Sequence, residues 1–409
     1  SFGFKGTVSE GAYPSQVDVD DVKLYWMGEE ETEKLDGTYY LYNPSTGLFL
    51  MAGNDWGTQA TLGETGLDFT LESDGLGYTL DSNVSNGGDS HYLGADLYVD
   101  GGAVAWMFNE VGTGTNGKKT YTLSLNGTDL VMTAPATGNI VTTTTDTGNE
   151  GTLWQLLSRA DLISGMRKAT EEHPVNATFL LPGYNFSRND SRNSSWTNSG
   201  DWTDHNGDMA NLVVEYWNRN FDIYQTLTDI PNGTYELSCQ GYYRNGGKDV
   251  TTGQTINAML YANSETQTLP DILSAAGQNG TVGYQNANGY IPNSIGDASS
   301  YLSAGLYWST PLRVTVEDGS LKVGAKKTVT VGDDWTVIDN FKLMYLGDGN
   351  ALTLGDINND GVTNDLDLPC LVKIILGKDP QHNYNWDAAD VNEDGKIGVG
   401  DITALINIL

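Results

Sequence analysis

Histidine and cysteine are nearly missing from this chain: four of the first and two of the second among 409 residues. His91, His173, His205 and His382 lack the short mutual spacing, or spacing to cysteine, that a zinc site needs. Cys239 and Cys370 fall in different parts of the chain, which excludes a disulfide framework and reads as two small buried side chains. No Gly-x-Ser-x-Gly elbow or phosphate loop occurs, and neither cysteine has a His partner. Basic residues are short too, 21 against 53 acids for a net charge of −32, so nucleic acid and anionic membranes are poor partners. No apolar run reaches about 18 residues, so no helix is expected to span a membrane. The chain opens at Ser1 without Met or a signal-peptide pattern, which reads as a processed or truncated chain. Glycoside hydrolysis needs two carboxyls about 5–10 Å apart. Asp201 and Asp204 offer such a pair, but they read better as solvated loop acids. No catalytic case emerges from the residues.

What is present points to β structure. Fifty glycines, 22 tyrosines and ten tryptophans, with few charges for the length, fit a mainly β, multidomain chain with many turns. Near the C-terminus an acidic twelve-residue pattern occurs twice, as DINNDGVTNDLD at 356–367 and DVNEDGKIGVGD at 390–401. Calcium takes six to eight oxygens, and such a loop supplies them from positions 1, 3, 5, 7, 9 and 12. The first loop offers Asp356, Asn358, Asp360, the Val362 carbonyl, Asn364 and Asp367. The second offers Asp390, Asn392, Asp394, the Lys396 carbonyl and Asp401, with water serving at Gly398. Gly361 and Gly395 occupy the sharp turn at position 6. Each loop runs into an apolar helix, LPCLVKIILG or ITALINIL. This loop-then-helix duplication resembles a dockerin, the calcium-dependent docking module of multienzyme polysaccharide-degrading systems. The resemblance covers about 351–409 and implies two Ca2+ ions and a cohesin-like partner, or docking onto the chain's own domains. Many dockerins carry a hydroxyl pair at loop positions 10 and 11; here Asp365-Leu366 and Val399-Gly400 stand there.

VDVDDVKLYWMGEE (17–30) aligns without gaps on TVIDNFKLMYLGDG (336–349), matching Asp20 to Asp339, Lys23 to Lys342 and Gly28 to Gly347. Residues 1–30 therefore read as terminal strands of a preceding sandwich. Over 31–158, Tyr39-x-Leu41, Tyr78-x-Leu80 and Tyr121-x-Leu123 open three similar blocks of about 40 residues, a repeat signature. The blocks close on Phe69, Trp106 and Trp154, which read as core. This stretch resembles a β-trefoil of the ricin-type lectin kind, without the Gln-x-Trp signature of those modules. Trp56, in a Gly/Asn/Asp loop outside the core rhythm, is a candidate to stack on a sugar ring.

Residues 159–173 place Leu162, Met166 and Ala169 on one face and read as a linker helix stopped by Pro174. From 174 to 348 strands return between turn signals such as LPGYN and IPNGT. With its Asp-Asn-Phe-Lys-Leu ending, this region resembles the galactose-binding-like jelly-roll sandwich of carbohydrate-binding modules, in particular modules of gut Bacteroidetes proteins. The polar loop 185–208 carries Arg192, Trp196, Asp201, Trp202 and Asp204. Aromatic faces beside amide, carboxyl and guanidinium groups suit a glycan. Tyr243, Arg244, Tyr307 and Trp308 are further candidates, the alternative for all of them being loop anchors. Asp339 stands where related sandwiches hold a structural calcium. The module at 349–409 completes the expected order. The expected function is a non-catalytic, carbohydrate-binding region of a secreted or surface bacterial protein. The rivals are the C-terminal part of a glycoside hydrolase or peptidase, and an adhesive or spacer protein.

Overall fold

The computed structural model of the protein describes residues 34–54, 57–86, 88–114, 116–187, 190–198, 213–349, 353–358, 360, 362–378, 384–392 and 396–409. The expected strands over 1–30, Trp56, and the loop residues Asp201, Trp202 and Asp204 lie outside these, as do Gly361, Asp394 and Gly395. The chain forms two compact units, Ser1–Leu35 and Asp36–Leu409, and every element named below belongs to the second.

Short runs of alternating burial make the first ten strands. They are β1 (Gly37–Asn43), β2 (Leu48–Asn54), β3 (Gln59–Gly63), β4 (Asp68–Ser73) and β5 (Tyr78–Asp81). Then come β6 (Trp106–Thr113), β7 (Lys119–Leu125), β8 (Val131–Thr133), β9 (Thr142–Thr144) and β10 (Leu153–Leu157). Six of them close a ring of antiparallel pairings, β1 to β4, β5, β6, β7 and β10 in turn, with β10 returning to β1. Closure leaves the ring no free edge. The β2–β3 hairpin hangs from β1 and the β8–β9 hairpin from β7, while Tyr92 bridges to Asp81 and Gly101 between β5 and β6. These three excursions meet where the Ala60 amide donates to the Leu97 carbonyl and the Leu62 amide to that of Asn139, each at 2.8 Å. Phe69, Trp106 and Trp154 are fully buried. The two indoles donate to the carbonyls of Leu93 at 3.0 Å and Met132 at 3.1 Å, so their burial leaves no orphan donor.

Ser158 starts α1 (Arg159–Met166) with a reciprocal cap, its hydroxyl accepting from the Asp161 amide while the Asp161 carboxylate accepts from the Ser158 amide. The helix stops at Met166, well short of the residue before Pro174, and Ala169 is already in a turn.

The next strands are β11 (Val175–Asn176), β12 (Thr197–Asn198), β13 (Val214–Trp217), β14 (Phe221–Leu227), β15 (Gly233–Arg244), β16 (Ala258–Ala262) and β17 (Glu265–Thr268). After a small hairpin, β18 (Tyr284–Asn286) and β19 (Gly289–Ile291), come α2 (Ile295–Ser303), β20 (Leu312–Val316), β21 (Leu321–Lys327) and β22 (Trp335–Tyr345). One sheet runs β11-β22-β15-β20 with β13 also on β22, and the other runs β12-β14-β21-β16-β17. Leu237, Ile338 and Leu343 from the first and Ile223, Val323 and Ala325 from the second share one core. Along β15 the alternation of burial ends at Cys239, because a second cluster containing Tyr301, Tyr307 and Trp335 covers the outer face at Tyr242. A strand covered on both faces buries every residue.

Trp196 belongs to this core rather than to the surface. It is 6% exposed, its ring centroid lies 4.6 Å from that of Phe341 and 5.2 Å from that of Phe186. Its indole N–H is shared between the Pro182 and Gly183 carbonyls, each at 3.1 Å. The polar sequence around it misled because one apolar side chain can anchor an otherwise solvated loop.

At the C-terminus α3 (Asp367–Ile375) and α4 (Val399–Ile408) pack through Leu371, Ile374 and Leu405, with Ile357, Tyr384 and Val391 from the loops. Among the described residues no helix is long and apolar enough to cross a membrane.

Removing the Trp196 indole empties a packed site, so Trp196→Ala is expected to cost about 3–5 kcal/mol of stability. Urea unfolding measures it, and a loss under about 1 kcal/mol would contradict the core placement.

Candidate functional site

Two residues with left-handed backbone shape a cleft on the sandwich. Tyr307, at φ +62°, and Asn340, at φ +45°, sit where L-residues are uncommon, and such strain tends to collect at working sites. Beside them β15 is bulged between Ser238 and Gln240. Trp308 bridges to Gln240 at that bulge, and the Tyr307 carbonyl accepts from the Gly241 amide at 2.9 Å. Tyr307 itself turns inward, 5% exposed, with its hydroxyl donating to the Ile272 carbonyl at 2.7 Å. Alternation then sends Trp308 outward, where it is 43% exposed.

The cleft beside Trp308 measures about 440 Å³, and its walls include Asn185, Ser187, Ser299, Ser303, Asp339 and Asn340. Its floor is an amide relay. The Asn340 side-chain amide donates to Gln240 at 2.7 Å, and Gln240 donates to the Leu302 and Leu306 carbonyls at 2.8 Å each. Asp339 is buried next to them and accepts from the Asn340 backbone amide at 2.7 Å and its side chain at 3.2 Å. Burial pushes the Asp339 carboxyl well above the ordinary carboxylate range, more than the Asn340 amide pulls it down. Asp339, the residue expected to help hold a structural calcium, is 5% exposed.

The other sugar-site candidates scatter. Arg192 lies apart in a buried ion cluster, with Asp190 Oδ1 at 2.9 Å and, across from it, Asp68 Oδ1 at 2.8 Å. It also donates to the Asp68 and Ser82 carbonyls at 2.9 and 2.6 Å, which ties the sandwich to the ring of strands. Burial opposes its charge, and the two carboxylates more than offset that, leaving its pKa raised. Tyr243 is fully buried in the sandwich core. Arg244 is 3% exposed, its guanidinium lying 5.0 Å from the Trp335 ring centroid and 5.2 Å from that of Trp217. These three side chains are structural, for a strand end buried by neighbouring aromatics has no mouth to line. Of the described candidates, Trp308 alone presents an open aromatic face. Asn185, Ser187 and Asn340 were missed; only the Asn of the Asp-Asn-Phe ending hinted at them.

In the first calcium loop, Asp367 gathers the backbone. Its Oδ1 accepts from the Ile357 and Asn358 amides at 2.7 and 3.0 Å, and its Oδ2 from Asn364 at 2.8 Å. The second loop repeats the pattern, Asp401 accepting from Asn392 at 3.1 Å and Gly398 at 2.7 Å. Asp367 and Asp401 are buried and each stands in the first turn of a helix, whose dipole favours a carboxylate there. Asp356 and Asn358 both accept from the Asp360 amide, at 3.0 and 2.9 Å, which brings the loop's carboxyl and amide oxygens together. Oxygen donors of this mixed kind suit a hard cation. Residues 354–409 match the family model of the dockerin type I domain. Dockerin type I domains bind calcium.

No curated protein matches the chain. Among solved structures, TmCBM61 in complex with beta-1,4-galactotriose is similar at 15% identity and a TM-score of 0.23, covering 39% of this chain and 98% of that one. The exo-beta-1,3-galactanase from Phanerochaete chrysosporium in complex with galactose is similar at 10% identity and a TM-score of 0.21, covering 73% and 68%. Likeness this slight assigns neither a fold nor a ligand. The chain is mainly β, with a dockerin at its C-terminus.

Folded Asp339 keeps its proton at pH values where the unfolded chain has lost it. Its effect on stability is therefore most favourable below the ordinary carboxylate pKa of about 3.9 and worsens as pH rises toward the folded value. Asp339→Asn preserves the shape without the ionisation. Thermal melts from about pH 4 to about pH 8 are expected to show a smaller loss of stability in the variant. Identical slopes would contradict a buried neutral acid.

Proposed function

We propose that this chain is a non-catalytic, glycan-binding region of an extracellular protein, with its dockerin as the docking module. The observation that carries the proposal is the exposed face of Trp308 beside a cleft of amides and hydroxyls. A pyranose offers C–H patches to an aromatic face and hydroxyls to amides, so the two halves of the cleft match the two halves of a sugar. Among the described lining residues Asp339 is the sole carboxyl, where glycoside hydrolysis uses two. Binding, not bond cleavage, is the chemistry this set of groups serves.

In the same reading residues 31–158 form a β-trefoil, supported by the closed ring of six strands and the three excursions that meet at one end. Residues 174–348 form the carbohydrate-binding sandwich, and 349–409 the dockerin with two calcium ions. The ligands are those the loops suggest, Asp356, Asn358, Asp360, Val362, Asn364 and Asp367, then Asp390, Asn392, Asp394, Lys396 and Asp401. The resemblance to dockerins of multienzyme systems supports a cohesin-like partner and an extracellular, bacterial setting. At loop positions 10 and 11 the exposed acid Asp365 stands beside apolar side chains, Leu366 at 65% and Val399 at 72% exposure. Docking through these would rest on apolar burial rather than on hydroxyl hydrogen bonds. A second reading, docking onto the chain's own body, is favoured by one observation. Trp386, Asp390 and Ile397 of the dockerin share a cavity of about 680 Å³ with Phe49, Leu162 and Phe179.

A glycan array probed with the whole chain is expected to give a specific signal that Trp308→Ala loses at least tenfold, with an unchanged melting temperature. Equal signal from both proteins, or a blank array, would refute the cleft. Calcium removal is expected to abolish hydrogen-exchange protection in α3 and α4 while leaving β15 and β22 protected. Titration calorimetry should count two ions, and one in Asp367→Ala or in Asp401→Ala. Protection in α3 and α4 that ignores a chelator would count against the calcium assignment.

A further inference from the structure

The cleft beside Trp308 does not end at the sandwich. Its far wall is formed by Ala52, Gly53 and Gly57 of the ring, from the β2–β3 hairpin. A second cavity, about 560 Å³, lies between the ring and the sandwich and shares Ala52, Gly57, Asn185 and Ser187 with the first. Two hollows with four wall residues in common adjoin, and each has the size of an ordinary ligand site. The inner one is lined by Tyr40, Phe179 and Tyr184, among others. Burial pushes the Tyr184 phenol up to about 12, so at neutral pH it is a hydrogen-bond donor and carries no charge.

We propose, resting on the glycan-binding reading above, that the two hollows form one groove that takes an uncharged oligosaccharide chain of several sugar units. Trp308 holds one end and the tyrosine-lined cavity between ring and sandwich holds the other. The choice of an uncharged chain follows from the charges present. Two cations line the inner cavity, Arg192, which Asp68 and Asp190 already occupy, and Arg159, which is exposed. A uronic acid or sulfated glycan would have to enter a chain of net charge −32, past Asp68 and Asp190 in the same lining, with Arg159 as the one cation there that those carboxylates do not hold. Ring and sandwich thus build a single site that neither would offer alone.

The test is titration calorimetry on the whole chain with uncharged gluco-, galacto-, manno- and xylo-oligosaccharides from monosaccharide to hexasaccharide, beside oligogalacturonates of the same lengths. For the series that binds, affinity is expected to rise at least tenfold from disaccharide to tetrasaccharide. Ala52→Trp, which fills the shared wall, is expected to abolish that rise. Ser187→Trp blocks the same point from the sandwich side and stands in if Ala52→Trp does not fold. Affinity that is equal at every length but still lost in Trp308→Ala would overturn the groove and leave the Trp308 site standing. A length dependence that survives both folded variants would overturn it too, as would oligogalacturonates binding as tightly as uncharged chains. No binding by any saccharide would remove both this inference and the reading it rests on.

Discussion

A single buried cation holds the ring of strands against the sandwich. Arg192 reaches from the sandwich loop to Asp68 and the Ser82 carbonyl of the ring, with Asp190 at its back. Its side chain is 12% exposed and that of Asp190 6%, so these charges have given up most of their water. Removing one member of such a cluster typically costs about 3–5 kcal/mol, because its partners are left buried and uncompensated. The same segment adds backbone ties, Asp190 bridging to Val84 and the Ser191 amide donating to the Asn83 carbonyl. Because Arg192 fixes this contact, the β2–β3 hairpin can serve as a wall for a cleft that the sandwich floors.

Within the sandwich the same economy of burial shapes the cleft. The second half of β15 and the first half of β22 are covered on both faces, which leaves their polar residues few places to go. Gln240, Asp339 and Asn340 solve this together: the two amides bond to each other and to carbonyls, and burial pushes the carboxyl's pKa up. A floor built this way is rigid, since each group has a partner, and its open side faces the aromatic Trp308. Strain at Tyr307 and Asn340 is tolerated because the surrounding core anchors both.

The dockerin works on a different principle. Its small core is assembled around two loops whose buried carboxylates organise backbone amides. That mechanism could be read from the chain, because loop ligands are close in sequence and their spacing is the geometry. The threefold blocks with Phe69, Trp106 and Trp154 as core were legible for a similar reason, each repeat displaying its own apolar rhythm. The sugar-site candidates were not. Trp196 and Trp308 look alike in a linear reading, both with Ser and Thr close by, and nothing local says that one meets Phe341 and the other meets solvent. Arg192 reads as a solvated loop cation until Asp68, far away in the sequence, is brought beside it. Helix α1 ends early because its periodic face outlasts its hydrogen-bonded turns.

By itself the sequence determined the β-rich class, the tandem acidic loops with their helices, and the repeat that closes the ring, all of which depend on local spacing and composition. Only the tertiary structure decided which aromatics are core, which charge is a clamp, and where the walls of the cleft stand. Those outcomes depend on contacts between residues distant in the chain, and on the desolvation that accompanies them, neither of which a local pattern records.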